Sequence, residues 1–218
     1  MRPLIFNPAR PGHNAPLRLV LLPPAYGSPD DFVAHGFVRA VRERRLDVDL
    51  VFAELRLQHV NDRSVLLRLQ EIIRSARAHG CAVWLGGISL GAYIALCYAA
   101  RCHDQLGGLC VLAPYLGSHI VTDEIGRGGI DNWQPGDLAE DDEERRVWRF
   151  IKGLRSGTPP VHFGFGSEDR FADRHRLMAA VLAPGDVDLV PGAHDWPTWH
   201  RLWERFLDGR LAHHPERT

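Results

Sequence analysis

Short apolar runs alternate with longer stretches of helical periodicity along most of the chain. "RLVLLPP" (18–24), "VDLVFAEL" (48–55), "CAVWLGGI" (81–88), "LGGLCVLAPYL" (106–116), "PPVHFGFGS" (159–167) and "VDLVPGA" (187–193) read as strands. Their apolar residues are continuous rather than alternating, as strands buried on both faces require. Between them lie helical patterns. Ser28-Pro29-Asp30-Asp31 reads as a cap, a first-turn proline and a capping-box acid, opening a helix expected to reach about Arg44. Apolar residues at 65, 66, 69, 72, 73 and 76 predict a helix over 61–80, with Gly80 as its stop. Further helices are expected at 90–101, about 171–182 and about 197–208, followed by a polar, frayed tail from Gly209.

Strands alternating with helices predict an α/β fold, a doubly wound, mostly parallel sheet with helices on both faces. The length of 218 residues suits a single domain over 1–218. Residues 117–158 break the rhythm. Their first half is rich in Gly, Asn and Asp, with Trp133 isolated among polar residues. Their second half, about 139–154, reads as an amphipathic helix with an acidic start. This segment is either a small cap over a site or a surface excursion with an ordinary crossover helix.

Composition narrows the class. Hydrophobic residues make up 45% and charged residues 24%, ordinary for a globular protein. Net charge is -1, so no global field attracts nucleic acid. Arginine supplies nearly all the basic charge, with Lys152 the one lysine, which reads as genome composition. Cys81, Cys97, Cys102 and Cys110 lack paired spacing and read as reduced thiols, favouring a cytoplasmic setting. No apolar run approaches the roughly 20 residues that span a bilayer, and no targeting segment is evident. His213 and His214 form no credible metal set with an acid or cysteine. Phosphate loops and dinucleotide fingerprints are absent. The expectation is a soluble protein with no cofactor and no metal. A homodimer is compatible with all of this.

In a doubly wound sheet, ligands bind at the carboxyl ends of strands. After the third predicted strand comes Gly87-x-Ser89-x-Gly91. A nucleophile on a strand-to-helix turn needs small neighbours at minus two and plus two, because bulkier side chains collide across the turn. The helix that follows directs its first N–H groups at developing negative charge. The alternative is a serine that merely caps that helix. Serine needs a base, and His194 follows the last strand in "VPGAHDWPTW". An acid is expected between them in sequence, and "GFGSEDRF" supplies Asp169, with neighbouring Glu168 as an alternative. Asp195 adjoins His194 but reads as a helix cap. His119 follows a strand and reads as a loop histidine. Trp196 and Trp199 read as core behind the histidine loop.

These motifs carry a resemblance. From "LVLLPPAYGS" to "HDWPTWHRLW" the chain resembles the α/β-hydrolase superfamily, on the elbow "GISLGA" and the order Ser89, Asp169, His194. "GAHDWPTW" is similar to the histidine motif of the esterase D-like branch, which includes S-formylglutathione hydrolases, siderophore esterases and mycolyltransferases. "LLPPAYGSPDDF" and the small size are similar to carboxylesterase and acyl-thioesterase relatives. The resemblance implies Ser89 as nucleophile, His194 as base and Asp169 as acid. It implies a serine hydrolase for a small-molecule ester or thioester. Acyl transfer on the same triad is the runner-up.

One departure stands out. Where the family carries His-Gly beside an oxyanion donor, this chain has Pro23-Pro24-Ala25-Tyr26-Gly27. Proline has no N–H. The donor therefore falls to Tyr26, with Ala25 and Gly27 as alternatives, and Leu90 N–H supplies the second. The Tyr26 ring is a candidate for the pocket wall or for packing. The proline pair also motivates a rival from another class, a non-catalytic binding protein on the same fold.

Overall fold

The computed structural model describes residues 4–54 and 64–212. The strands are β1 (Leu4–Asn7), β2 (Leu17–Leu22), β3 (Val48–Ala53), β4 (Ala82–Ile88), β5 (Gly108–Leu112), β6 (Val161–Gly166) and β7 (Val187–Val190). The helices are α1 (Pro29–Ala34), α2 (Phe37–Glu43), α3 (Ser64–Ala78), α4 (Leu90–Cys102), α5 (His119–Asn132), α6 (Glu143–Gly153), α7 (Ala172–Ala179) and α8 (Trp196–Phe206).

One sheet runs in the order β1-β3-β2-β4-β5-β6-β7, parallel throughout except for β1. The expected mostly parallel sheet is present, with one strand added. β1 is only four residues long and ends against Pro8, so periodicity does not reveal it. An edge position is where a strand beside a proline is tolerated. Arg42 secures it, donating to the Asn7 and Pro8 carbonyls.

The helices divide between the two faces. Phe32, Phe37, Trp199, Leu202, Trp203 and Phe206 bury one face of the sheet beneath α1, α2 and α8. The other face lies under α3, α4, α6 and α7. Burying one large apolar side chain contributes roughly 1.5–3 kcal/mol. The two aromatic-rich layers therefore fix the sheet on which the strand ends are mounted. α4 is buried nearly all round, from Gly91 to Ala99. A helix apolar on every side must be covered on its outer face, and α6 does this, tied by the Arg101–Glu143 ion pair.

Several boundaries differ from the sequence expectations. The helix expected from Ser28 to Arg44 is two helices. Gly36 adopts φ 83, which stops α1 and turns the chain before α2. Phe37 then stacks on Trp203, whose indole N–H donates to the Phe37 carbonyl at 3.1 Å. The strand expected over 106–116 ends at Leu112, because Ala113 takes φ 44. Inside 117–158 a further helix, α5, forms despite Gly126 and Gly128, because Val121 and Ile125 share one buried face, and it kinks at Gly129, which takes φ 72 and ψ 150. Trp133 is buried, not isolated, and its indole donates to Glu124 at 2.7 Å. The tail is held farther than expected, since Leu207 and Leu211 are buried. His213, His214, Leu55 and the proposed helix start at 61–63 lie outside the described residues.

Among the described residues no helix is long and apolar enough to cross a membrane.

Candidate active site

The strand order reverses between β2 and β4, and the loops leaving these two strands diverge. That is the place where doubly wound sheets form a crevice. Ser89 leaves β4 there with φ 54 and ψ -114. This region is costly for a residue with a side chain, and such strain concentrates at functional turns. Close packing on both sides of the turn holds it. A Cβ on Gly87 would sit 2.6 Å from the Leu22 carbonyl oxygen, and one on Gly91 would sit 2.3 Å from the same atom. Both glycines are therefore required by contact with β2. The Ser89 N–H donates to the Leu112 carbonyl at 3.0 Å, and the Ser89 carbonyl accepts from Tyr115 N–H at 3.0 Å.

His194 follows β7, and its Nε2 lies 2.9 Å from Ser89 Oγ. Its Nδ1 lies 2.6 Å from Asp169 Oδ2. A carboxylate only accepts, so Nδ1 carries the proton and bare Nε2 accepts from the serine hydroxyl. Phe171 meets the imidazole edge to face at 5.2 Å, and Trp199 does the same at 5.0 Å. The ring is thereby held in one orientation.

Asp169 follows β6 and is buried. Burial pushes its carboxyl up, but the hydrogen bonds from His194 Nδ1–H and Phe171 N–H outweigh it. The net result lies below the usual aspartate value. Three residues distant in sequence, each at its own strand end, thus form one hydrogen-bonded row.

Other candidates fall elsewhere. Glu168 is exposed. Asp195 caps α8, accepting from Thr198 N–H at 3.0 Å. His119 opens α5 and lines a cleft beside Phe171. Trp199 is core, while Trp196 stacks on His35 at 4.3 Å. The Tyr26 ring is 94% exposed, which gives it neither a packing nor a pocket-wall role in this state. Its backbone takes φ 62 in a turn closed by Gly27 N–H on the Pro24 carbonyl at 3.0 Å. Phe171 and Tyr115 are site neighbours that no spacing rule marks in sequence. Phe171 stands two residues beyond the acid, which is the one available hint. Among the described residues no cluster of three or more His, Cys, Asp or Glu is arranged to hold a metal.

No protein-family model matches the sequence, and no curated protein matches it either. Solved structures do match in three dimensions. An S-formylglutathione hydrolase from Staphylococcus aureus superposes with TM-score 0.62 at 13% identity, over 90% of this chain and 82% of that one. Est1E from Butyrivibrio proteoclasticus gives TM-score 0.62 at 15% identity, over 94% and 93%. A fluorophosphonate-binding serine hydrolase of Staphylococcus aureus gives 0.64 at 13%, over 91% and 85%. The chain has the α/β-hydrolase fold. Within that fold, the row Ser89–His194–Asp169 lies at the carboxyl edge of the sheet. Of the four described non-glycine residues with positive φ, Tyr26, Ser89 and Ala113 cluster at that edge.

Proposed function

We propose that the protein is a serine hydrolase of carboxylic esters or thioesters, with Ser89 as nucleophile, His194 as general base and Asp169 as the acid that orients it. The observation that carries this reading is the continuous row from Ser89 Oγ through His194 to Asp169, at 2.9 and 2.6 Å, on a strained elbow. The solved neighbours are described as hydrolases and esterases, which supports the same reaction class.

Ser89 Oγ attacks the acyl carbon while His194 Nε2 takes its proton. The imidazolium then protonates the leaving alcohol or thiol, and water repeats the sequence to release the acid. Asp169 stabilises the charged imidazole without itself becoming protonated. Leu90 N–H, first of α4, has no intrahelical acceptor and supplies one oxyanion donor. Gly27 N–H is already engaged with Pro24, so the second donor is Tyr26 or Ala25. The left-handed Tyr26 backbone, on the loop that begins against the elbow, favours Tyr26.

The test is a panel of 4-nitrophenyl esters of graded acyl length together with acyl-CoA thioesters, assayed with wild type and Ser89→Ala. Turnover of at least one substrate, lost in the variant, is the expected outcome. No turnover in either form, with ligand binding intact in both, favours the binding-protein reading. Adding alcohol acceptors separates hydrolysis from acyl transfer.

A further inference from the structure

Beyond Phe171 lies a cleft of about 780 Å³ between α5 and α7. Arg127, Arg170, Arg174 and His119 line it together with Asp123 and Asp173. Asp173 is paired at 2.6 Å with Arg176, outside the lining. Among the described residues neither Arg127 nor Arg170 forms an ion pair, although Glu124 feels the Arg127 charge. Arg127 donates only to a backbone carbonyl of its own helix, Asp123 O at 3.2 Å. Arg174 donates one terminal N–H to the Gly117 carbonyl at 3.0 Å, which anchors it as a wall. The lining thus holds three guanidiniums against two carboxylates, a net positive charge. Arginine forks suit planar anions such as carboxylates and phosphates.

The cleft is joined to the site by one ring. Phe171 lies 5.2 Å from the His194 imidazole, centre to centre, and the Arg170 guanidinium carbon stands 4.9 Å from the Phe171 ring centre. The guanidinium is thus no farther from the imidazole than the sum of those distances, within the span of a small ester. The Arg174 guanidinium stands over the same ring at 5.6 Å. Phe171 is fixed in turn by its N–H on Asp169 at 2.8 Å. Cations stacked on an aromatic ring keep their N–H edges free for an anion.

Resting on the hydrolase reading, we propose that this cleft binds an anionic group of the substrate, with Arg127 and Arg170 as the residues that select it. The substrate class is then an ester or thioester carrying a carboxylate or phosphate away from the scissile bond. The anion can belong to the acyl chain or to the leaving group, and matched probes separate the two. Mono-4-nitrophenyl adipate is compared with 4-nitrophenyl hexanoate for the acyl side. The hexanoate ester of 4-hydroxybenzoate is compared with that of its methyl ester for the leaving-group side.

At low ionic strength, one anionic probe should exceed its neutral partner in kcat/KM by about tenfold or more, the scale of a hydrogen bond to a charged group. That ratio should fall in Arg127→Gln/Arg170→Gln, survive in part in Arg170→Lys, and shrink as salt is raised. Calorimetric binding of adipate to wild type and to the double variant reads the cleft without turnover. Neutral-ester turnover with no anionic preference, and no adipate binding, overturns this inference and leaves the hydrolase reading standing. An anionic preference or adipate binding that persists in the double variant also overturns it. Adipate binding lost in the double variant, with no ester turned over, keeps the anion site and removes the hydrolase reading.

Discussion

Ser89 is the residue on which local strain, packing and chemistry converge. Its backbone angles are costly, yet the contacts of Gly87 and Gly91 with β2 leave the turn no relaxed alternative. Replacing Ser89 with Ala should therefore cost little stability while lowering ester kcat by a factor of at least about 10³. Urea melts paired with steady-state rates check both halves. Asp169→Asn should preserve the fold but lower kcat by roughly 10⁴, because the amide no longer selects the tautomer that leaves Nε2 bare. Asp195→Ala separates the two aspartates flanking the histidine. It should lose about 1 kcal/mol of stability, the worth of an N-cap, with the Ser89–His194–Asp169 row left in place. A collapse of kcat in Asp195→Ala but not in Asp169→Asn would mean that the acid has been misassigned.

At the scale of elements, the glycines flanking the elbow link sequence to geometry most tightly. Gly91→Ala puts a methyl 2.3 Å from the Leu22 oxygen, so either β2 or α4 must shift. The expected outcome is a destabilisation of about 1–3 kcal/mol, seen in thermal melts, together with lost activity. Ser89, Asp169 and His194 are each visible in sequence because a residue type with known chemistry follows an apolar run. The helices around them are less visible. Gly36 looks like one more residue of a periodic helix until its φ of 83 splits α1 from α2. α5 is masked by Gly126 and Gly128, whose low helix propensity is overridden by the burial of Val121 and Ile125, while Gly129 kinks it. The arginine cleft is invisible beforehand because its lining comes from α5 and from the turn and helix after β6, some fifty residues apart, and meets only through packing.

Across the whole molecule, two buried imidazoles set the response to acid. His162 on β6 and His175 on α7 are both held down, to about 4, chiefly by burial. An unfolded histidine titrates near 6.5. Between those values the unfolded chain binds protons that the native state refuses. Stability is therefore fully present above about pH 6.5 and is lost as pH falls toward about 4. The loss is on the order of 3 kcal/mol for each ring. Asp169, held below its usual value, adds loss in the same direction at lower pH. Urea unfolding between pH 7 and pH 4.5 should show this slope, and His162→Phe should make it shallower. A stability that stays flat across the window would contradict the burial argument. The proposed active site is likewise a property of the whole fold, since its three side chains meet only when β4, β6 and β7 are in register. A fluorophosphonate probe tests that most directly, with the labelled residue located by peptide mass spectrometry. The native protein should be modified on Ser89, and the modification should disappear in urea and in Ser89→Ala. A folded wild-type protein that stays unlabelled, or is labelled at another residue, would contradict the account.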